Sequence, residues 1–250
     1  METYYMLVFF LFGSVFGSFY NVVGLRVPKG ESIVSPPSHC TVCERRLTPV
    51  DLIPVLSYLV LKGRCRKCQI RISPMYPFME CITGLLFVHS YVMFGFSKEL
   101  IVALFFASLL VIITVSDVAY MLIPNKIVYP AFFIFIGLRW MSPLEPWWYA
   151  FVGSVVGFGL LLLIAIVSKG GMGGGDIKLY AVLGLVLGIW NTLLSLFLAS
   201  LIALIYGAVI LAKRKQKRSV PIPFGPAIAL GSWLAYLYGD AIIQWYLKLL

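Results

Sequence analysis

Eight long apolar runs punctuated by short polar turns limit what this chain can become, because no soluble core could bury so much apolar surface. The runs fall at 4–25, 76–95, 100–116, 127–138, 147–167, 177–190, 192–212 and 224–246. Most approach the roughly 20 residues that a helix needs to cross bilayer hydrocarbon, while 127–138 and 177–190 are short. A chain of 250 residues, 61% hydrophobic and 12% charged, is read as an all-α polytopic membrane protein with about eight transmembrane helices. Three parts are expected: a first helix over 1–25, a loop domain over 26–75 and a seven-helix domain over 76–250.

A formal net charge of +10 invites a nucleic-acid reading, so the placement of the basic residues decides. Nine lie in the long loop: Arg26, Lys29, Arg45, Arg46, Lys62, Arg64, Arg66, Lys67 and Arg71. Five more (Lys213, Arg214, Lys215, Lys217, Arg218) separate the last two runs, and Lys126, Lys169 and Lys178 fall in two short turns. With all these turns cytoplasmic, 17 basic residues lie inside and only Lys98, Arg139 and Lys248 outside. Positive-inside bias therefore explains the charge without nucleic acid. The expected protein is multi-pass in the plasma membrane, with its amino terminus outside and its long loop in the cytoplasm.

Parity requires an even number of crossings between the turns around Lys178 and Lys213. The 33 residues 179–211 are accordingly read as a hairpin turning near Trp190-Asn191, though its first arm is thin for a crossing. The first run lacks a basic n-region and continues into Arg26 rather than a small-residue cleavage site, so it is expected to be an uncleaved span. No internal repeat of fixed period is visible.

Within the loop, Cys40-x2-Cys43 and Cys65-x2-Cys68 are separated by 21 residues, close to the spacing of a four-thiolate zinc knuckle. Such pairs rarely persist as disulfides in a reducing cytoplasm. Arg45, Arg46, Arg64, Arg66 and Lys67 flank them, and cations stabilise a doubly negative zinc tetrathiolate. A loop this short buries little core, so a metal staple is the natural substitute. The loop is read as a small cytoplasmic zinc-knuckle domain, a redox pair or unbound thiols being the alternatives. His39 is left out because four thiolates already fill a tetrahedron, and Cys81 is read as a packed small side chain.

Two acids sit where apolar runs meet turns: Asp117 closes the run 100–116, and Asp176 follows Gly170-Gly171-Met172-Gly173-Gly174-Gly175. Ionisable groups at such depth are expensive without a partner or a task. By parity both lie on the cytoplasmic side, where a pair sharing one proton could activate water with one member and protonate a carbonyl oxygen with the other. Each aspartate alone could equally be a helix cap. The glycines could form a mobile turn, or a backbone able to approach an extended substrate closely. A phosphate loop is excluded because no Gly-Lys-Ser/Thr follows.

These residues resemble the type IV prepilin peptidases, among the intramembrane aspartyl proteases with a Gly-x-Gly-Asp signature. The likeness rests on Gly173-Gly174-Gly175-Asp176 with Lys178 following, and on Asp117 ahead of Ile123-Pro124-Asn125. Gly17-Ser18-Phe19-Tyr20-Asn21 leading to Arg26-Val27-Pro28, Pro37-Ser38-His39-Cys40, and Tyr76-Pro77-Phe78-Met79-Glu80 complete it. The compact chain looks like the Gram-positive competence or pilus type. The resemblance implies an enzyme that cuts the basic leader of prepilins and pseudopilins after a glycine, then N-methylates the new terminus with S-adenosylmethionine. It implies Asp117 and Asp176 as the catalytic pair, zinc on Cys40, Cys43, Cys65 and Cys68, and substrate contacts at Gly173, Gly174, Gly175 and Lys178. Glu80 either positions a basic leader or anchors structure by pairing with Arg71 or Lys67. No glycine-rich strand–helix motif marks a methyl-donor site. The competing class is a non-enzymatic scaffold or a cation- or proton-coupled transporter with a structural zinc loop.

Overall fold

The structure, a computed structural model, describes residues 1–169, 171–213 and 223–249. Gly170 and the basic residues Arg214, Lys215, Lys217 and Arg218 lie outside the described residues. The main helices are α1 (Glu2–Arg26), α2 (Leu56–Val60), α3 (Met75–Phe94), α4 (Lys98–Tyr120), α5 (Asn125–Met141), α6 (Tyr149–Val167), α7 (Gly174–Lys213) and α8 (Gly225–Leu247). Among the described residues six helices are long and apolar enough to cross a membrane. Two compact units divide the chain within α4, Met1–Val115 and Ser116–Leu250.

In the first unit α1 packs antiparallel on α3. The pairing is close because small residues face each other: a Cβ on Gly13 would meet Gly84 Cα at 2.8 Å, and one on Gly17 would meet Glu80 Cα at 2.9 Å. The large apolar side chains Leu7, Leu11 and Val15 instead point outward. Lipid is as apolar as leucine, so membrane helices associate through close backbone approach and polar contacts rather than through apolar burial. Such contacts include Tyr20 with Ser108, 2.6 Å apart, and Asn21 Nδ2 donating to Tyr76 O. Rings of Tyr5, Phe9, Tyr91 and Phe96 cluster at the opposite end, as aromatic residues do at membrane interfaces.

In the second unit α7 packs against α5, α6 and α8. It is a hairpin rather than one rod. Gly188 has non-helical angles (φ 71, ψ −169), and Ser195 Oγ donates to Tyr180 Oη at 3.3 Å across a separation of 15 residues. A straight helix would hold those positions about 22 Å apart. The turn thus comes slightly before the expected Trp190-Asn191. Glycine is needed there because only it adopts that backbone cheaply, and Tyr149 occupies the space a side chain would fill. With α5 as a 17-residue helix and α7 as two arms, the described segments agree with about eight crossings.

The first arm, 174–187, spans only about 20 Å at roughly 1.5 Å per residue, so its end is left in apolar surroundings. Arg139 supplies the remedy. It is buried, donates through Nη2 to Val186 O, and so satisfies a carbonyl that the break leaves without its helical partner.

Candidate active site and candidate metal centre

One end of the second unit gathers the carboxyl end of α4 and the amino ends of α5, α7 and α8. Asp117 is 6% exposed. Its Oδ2 accepts from the Gly225 amide at 2.6 Å, and the Phe224 amide also donates to the carboxylate. The first turn of α8 therefore caps it with otherwise unpaired N–H groups and a positive dipole end. A side chain on Gly225 would leave no room, since its Cβ would lie 2.7 Å from Asp117 Cβ.

Asp176 occupies the first turn of α7 and is half-buried. The Gly173 amide donates to its carboxylate, while the Asp176 amide donates back to Gly173 O at 3.1 Å. Asp117 lies close enough for its charge to act on Asp176. The structure thus brings together two acids from separate helices, each held at a helix amino terminus. Beneath Asp176 runs a buried chain in which Ser232 Oγ donates to Ser195 Oγ, which donates to Tyr180 Oη. That chain ties α8 to both arms of α7.

The glycines divide their work. Gly173 and Gly174 are exposed, and nothing lies near a Cβ built on Gly174. Gly175 packs on the α4–α5 turn, where a Cβ would meet Ile123 Cβ at 2.8 Å. Gly174 and Gly175 already belong to α7, so the glycine run is only partly a turn. Lys178 reaches α5 instead of standing free: its Nζ donates to Asn125 Oδ1 at 3.0 Å and lies 5.6 Å from the Tyr129 ring centre. Sequence reasoning missed Phe224 and Gly225, although Pro223-Phe224-Gly225-Pro226 opening the last apolar run was a visible signal.

In the first unit the four cysteines form one cluster, with every Sγ within 4.8 Å of the others. Cys40 and Cys68 lie 3.7 Å apart, Cys43 and Cys65 3.9 Å. These separations far exceed a disulfide bond, and the cluster could hold a metal ion. Two knuckles of the same backbone design build it. Cys40 N donates to Arg45 O as Cys65 N does to Ile70 O, and Leu47 N to Ser38 O as Ile72 N does to Gly63 O. Amides of Cys43 and Val42 aimed at the Cys40 sulfur hold its thiol down to about 6. Amides of Cys68 and Lys67 lower Cys65 in the same way. The backbone thus favours thiolates at Cys40 and Cys65, while at Cys68 the Ile70 amide is outweighed by burial and the neighbouring sulfurs of Cys43, Cys65 and Cys40, which push the thiol up to about 11.

Asp51 clasps the two knuckles, accepting from Arg45 Nη2 at 2.6 Å and from Arg66 Nε at 3.0 Å. Burial opposes its charge, but the Thr48 amide and hydroxyl and the two arginines together hold its carboxyl below the usual carboxylate value. Arg45 and Arg66 are therefore engaged by a carboxylate, where the sequence suggested free counter-charges for a metal centre. Glu80, 8% exposed, accepts from the Val55 amide at 2.8 Å. No ion pair to Arg71 or Lys67 exists among the described residues; the partners of Glu80 are the Val55 amide and the Ser18 side chain rather than a cation.

A multi-pass helical protein that joins two acids at helix ends has the makings of a membrane-embedded aspartic peptidase, and comparison with known proteins leads to that class. Residues 11–94 match the family model described as Bacterial Peptidase A24 N-terminal domain. Residues 104–208 match that of the Type IV leader peptidase family. The chain belongs to the type IV leader peptidase family. It is 46% identical to the prepilin leader peptidase/N-methyltransferase of Bacillus subtilis (strain 168) over 242 residues, 97% of this chain and 98% of that protein. Proteins of the same name from Aeromonas salmonicida (strain A449), at 34% identity, and Pseudomonas aeruginosa, at 32%, each align over 98% of this chain and 94% of their own length. No solved structure matches.

Proposed function

We propose that this chain cuts the leader from type IV prepilins and pseudopilins after a glycine, with Asp117 and Asp176 as the catalytic pair. One carboxylate, ionised, takes a proton from water as the oxygen attacks the scissile carbonyl; the other, protonated, donates to the carbonyl oxygen. The amino ends of α7 and α8 fix the two groups in place. The exposed Gly173 and Gly174 offer side-chain-free backbone to an extended substrate, Gly175 seats the arm that carries Asp176, and Lys178 braces that arm on α5. The observation that carries this reading is the approach of Asp117 to Asp176, each held by amides of a helix terminus. Positive-inside bias supports a cytoplasmic site, with the amino terminus outside.

Zinc is the metal proposed for Cys40, Cys43, Cys65 and Cys68. A tetrahedral site with Zn–S near 2.3 Å has sulfur–sulfur edges of about 3.8 Å, which fits the 3.7 and 3.9 Å separations here. Its contribution is to staple the loop. N-methylation of the new amino terminus is proposed from the relatives' names, with S-adenosylmethionine as donor, and no residues are assigned to the donor. The test is to incubate the purified protein in detergent with a peptide carrying a basic leader and a Gly-Phe junction, with and without the donor. Leader release in both samples, and added methyl mass only with the donor, is the expected outcome. An intact peptide in both overturns the reading.

A further inference from the structure

The loop between α1 and α3 exposes apolar side chains that an aqueous loop would hide. In α2, Leu56, Leu59 and Val60 are 59%, 63% and 77% exposed, and Leu52 and Ile53 just before it are exposed too. Contiguous apolar surface of this kind marks a contact with something other than water. The hydrogen bond from Val55 N–H to Glu80 Oε2 fixes the height of this segment. Glu80 lies about a turn and a half inside the membrane-spanning α3, roughly 7 Å from its start. The segment is therefore tied beside the first turns of an apolar helix, where interfacial elements sit. Val55 itself adopts φ 60, which a β-branched residue avoids unless held there, and the Glu80 bond provides the hold.

Directly after α2 the chain forms an open cleft of about 580 Å³ between Lys62-Gly63-Arg64 and Arg71 to Pro74, the residue before α3. Lys62, Arg64 and Arg71 line it, and none of the three is in a salt bridge among the described residues. Arg45 and Arg66 share the single carboxylate of Asp51. Of the loop's cations, two are thus paired with a carboxylate and three line a cleft beside the start of α3. Basic pockets so placed receive anionic headgroups.

We infer that residues 49–74 form a membrane-seated element. The side chains of Ile53, Leu56, Leu59 and Val60 lie in the leaflet on the loop's side, and the cleft takes the phosphate of an anionic lipid. The three cations repel a basic leader peptide, which disfavours substrate as the occupant.

The experiment uses the full-length protein in nanodiscs of phosphatidylcholine mixed with phosphatidylglycerol, with a benzoylphenylalanine photocrosslinker replacing Leu59. Adducts on lipid acyl chains are expected. Adducts only on another stretch of this chain, or on an added prepilin, overturn the inference, as does the absence of any adduct. Retained lipids are then counted by native mass spectrometry. The protein should prefer phosphatidylglycerol, with the preference falling about fivefold for each of Lys62→Gln, Arg64→Gln and Arg71→Gln. Arg64→Lys and, outside the cleft, Lys67→Gln should leave it unchanged, and metal content reports that each loop is folded. An undiminished preference in the three neutralised variants overturns the lipid site, as does an equal loss from Lys67→Gln. Displacement of phosphatidylglycerol by millimolar inorganic phosphate identifies a free-anion site and overturns it as well.

Discussion

The tetracysteine loop and the aspartate pair solve the same problem, holding together acidic groups that repel when all are ionised, by opposite means. The loop is local: all four sulfurs come from a short stretch, and each knuckle aims its own amides at its first cysteine. The aspartate site is assembled at long range, with Asp117 capped by an amide 108 residues further on. A local site can be rebuilt by a metal once unfolded, whereas a dispersed one exists only while α4, α7 and α8 are packed. The two should therefore fail separately.

The largest expected effect is on cleavage by the aspartate variants. Asp117→Asn and Asp176→Asn should each slow leader release by at least about a hundredfold, with metal content unchanged by elemental analysis. Replacing Cys40 and Cys65 together by serine should reverse the pattern of damage. Bound zinc should drop from one per chain to near none, and amide exchange should rise across the loop while staying low in α7 and α8.

Gly225→Ala sharpens the contrast without touching either acid. A Cβ there collides with Asp117, so cleavage should fall by about a hundredfold if the carboxylate moves by an ångström, again with zinc retained. Asp51→Asn is the mildest test. It removes a clasp made with partly exposed arginines, and zinc transfer to a chelator at neutral pH should quicken by no more than about fivefold. Because the Asp51 carboxyl is held below its usual value in the fold, its support is fully present above the ordinary carboxylate range. That support is lost as pH falls through the lowered value, which amide exchange across residues 45–51 should register.

The same contrast explains what could be read before the structure. The Cys-x2-Cys spacing announces a local site, and each aspartate at the end of an apolar run announces a cost that needs a reason. Parity of the basic turns anticipated the hairpin in α7, although Gly188, not Trp190-Asn191, makes the turn. The partners were hidden. Gly225 reaches Asp117 only through tertiary packing, and Arg139, which looked like an outside charge, is buried against the carbonyl of Val186. The two knuckles share a backbone pattern, and Cys-x2-Cys-Glu/Gln-x-Arg-Leu/Ile recurs at 40–47 and 65–72, a short repeat the sequence reading passed over. Asp51 carried no signal in the sequence, because its value lies in joining two arginines brought close only by the fold.

The central claim is that Asp117 and Asp176 act as one unit. It is tested most directly by measuring single-turnover prepilin cleavage for Asp117→Asn, Asp176→Asn and the double variant, each matched for folded, zinc-loaded protein. Groups that share one task are not additive, so the double variant should be no slower than the slower single variant. Multiplying losses, or ordinary cleavage by either single variant, would contradict the account.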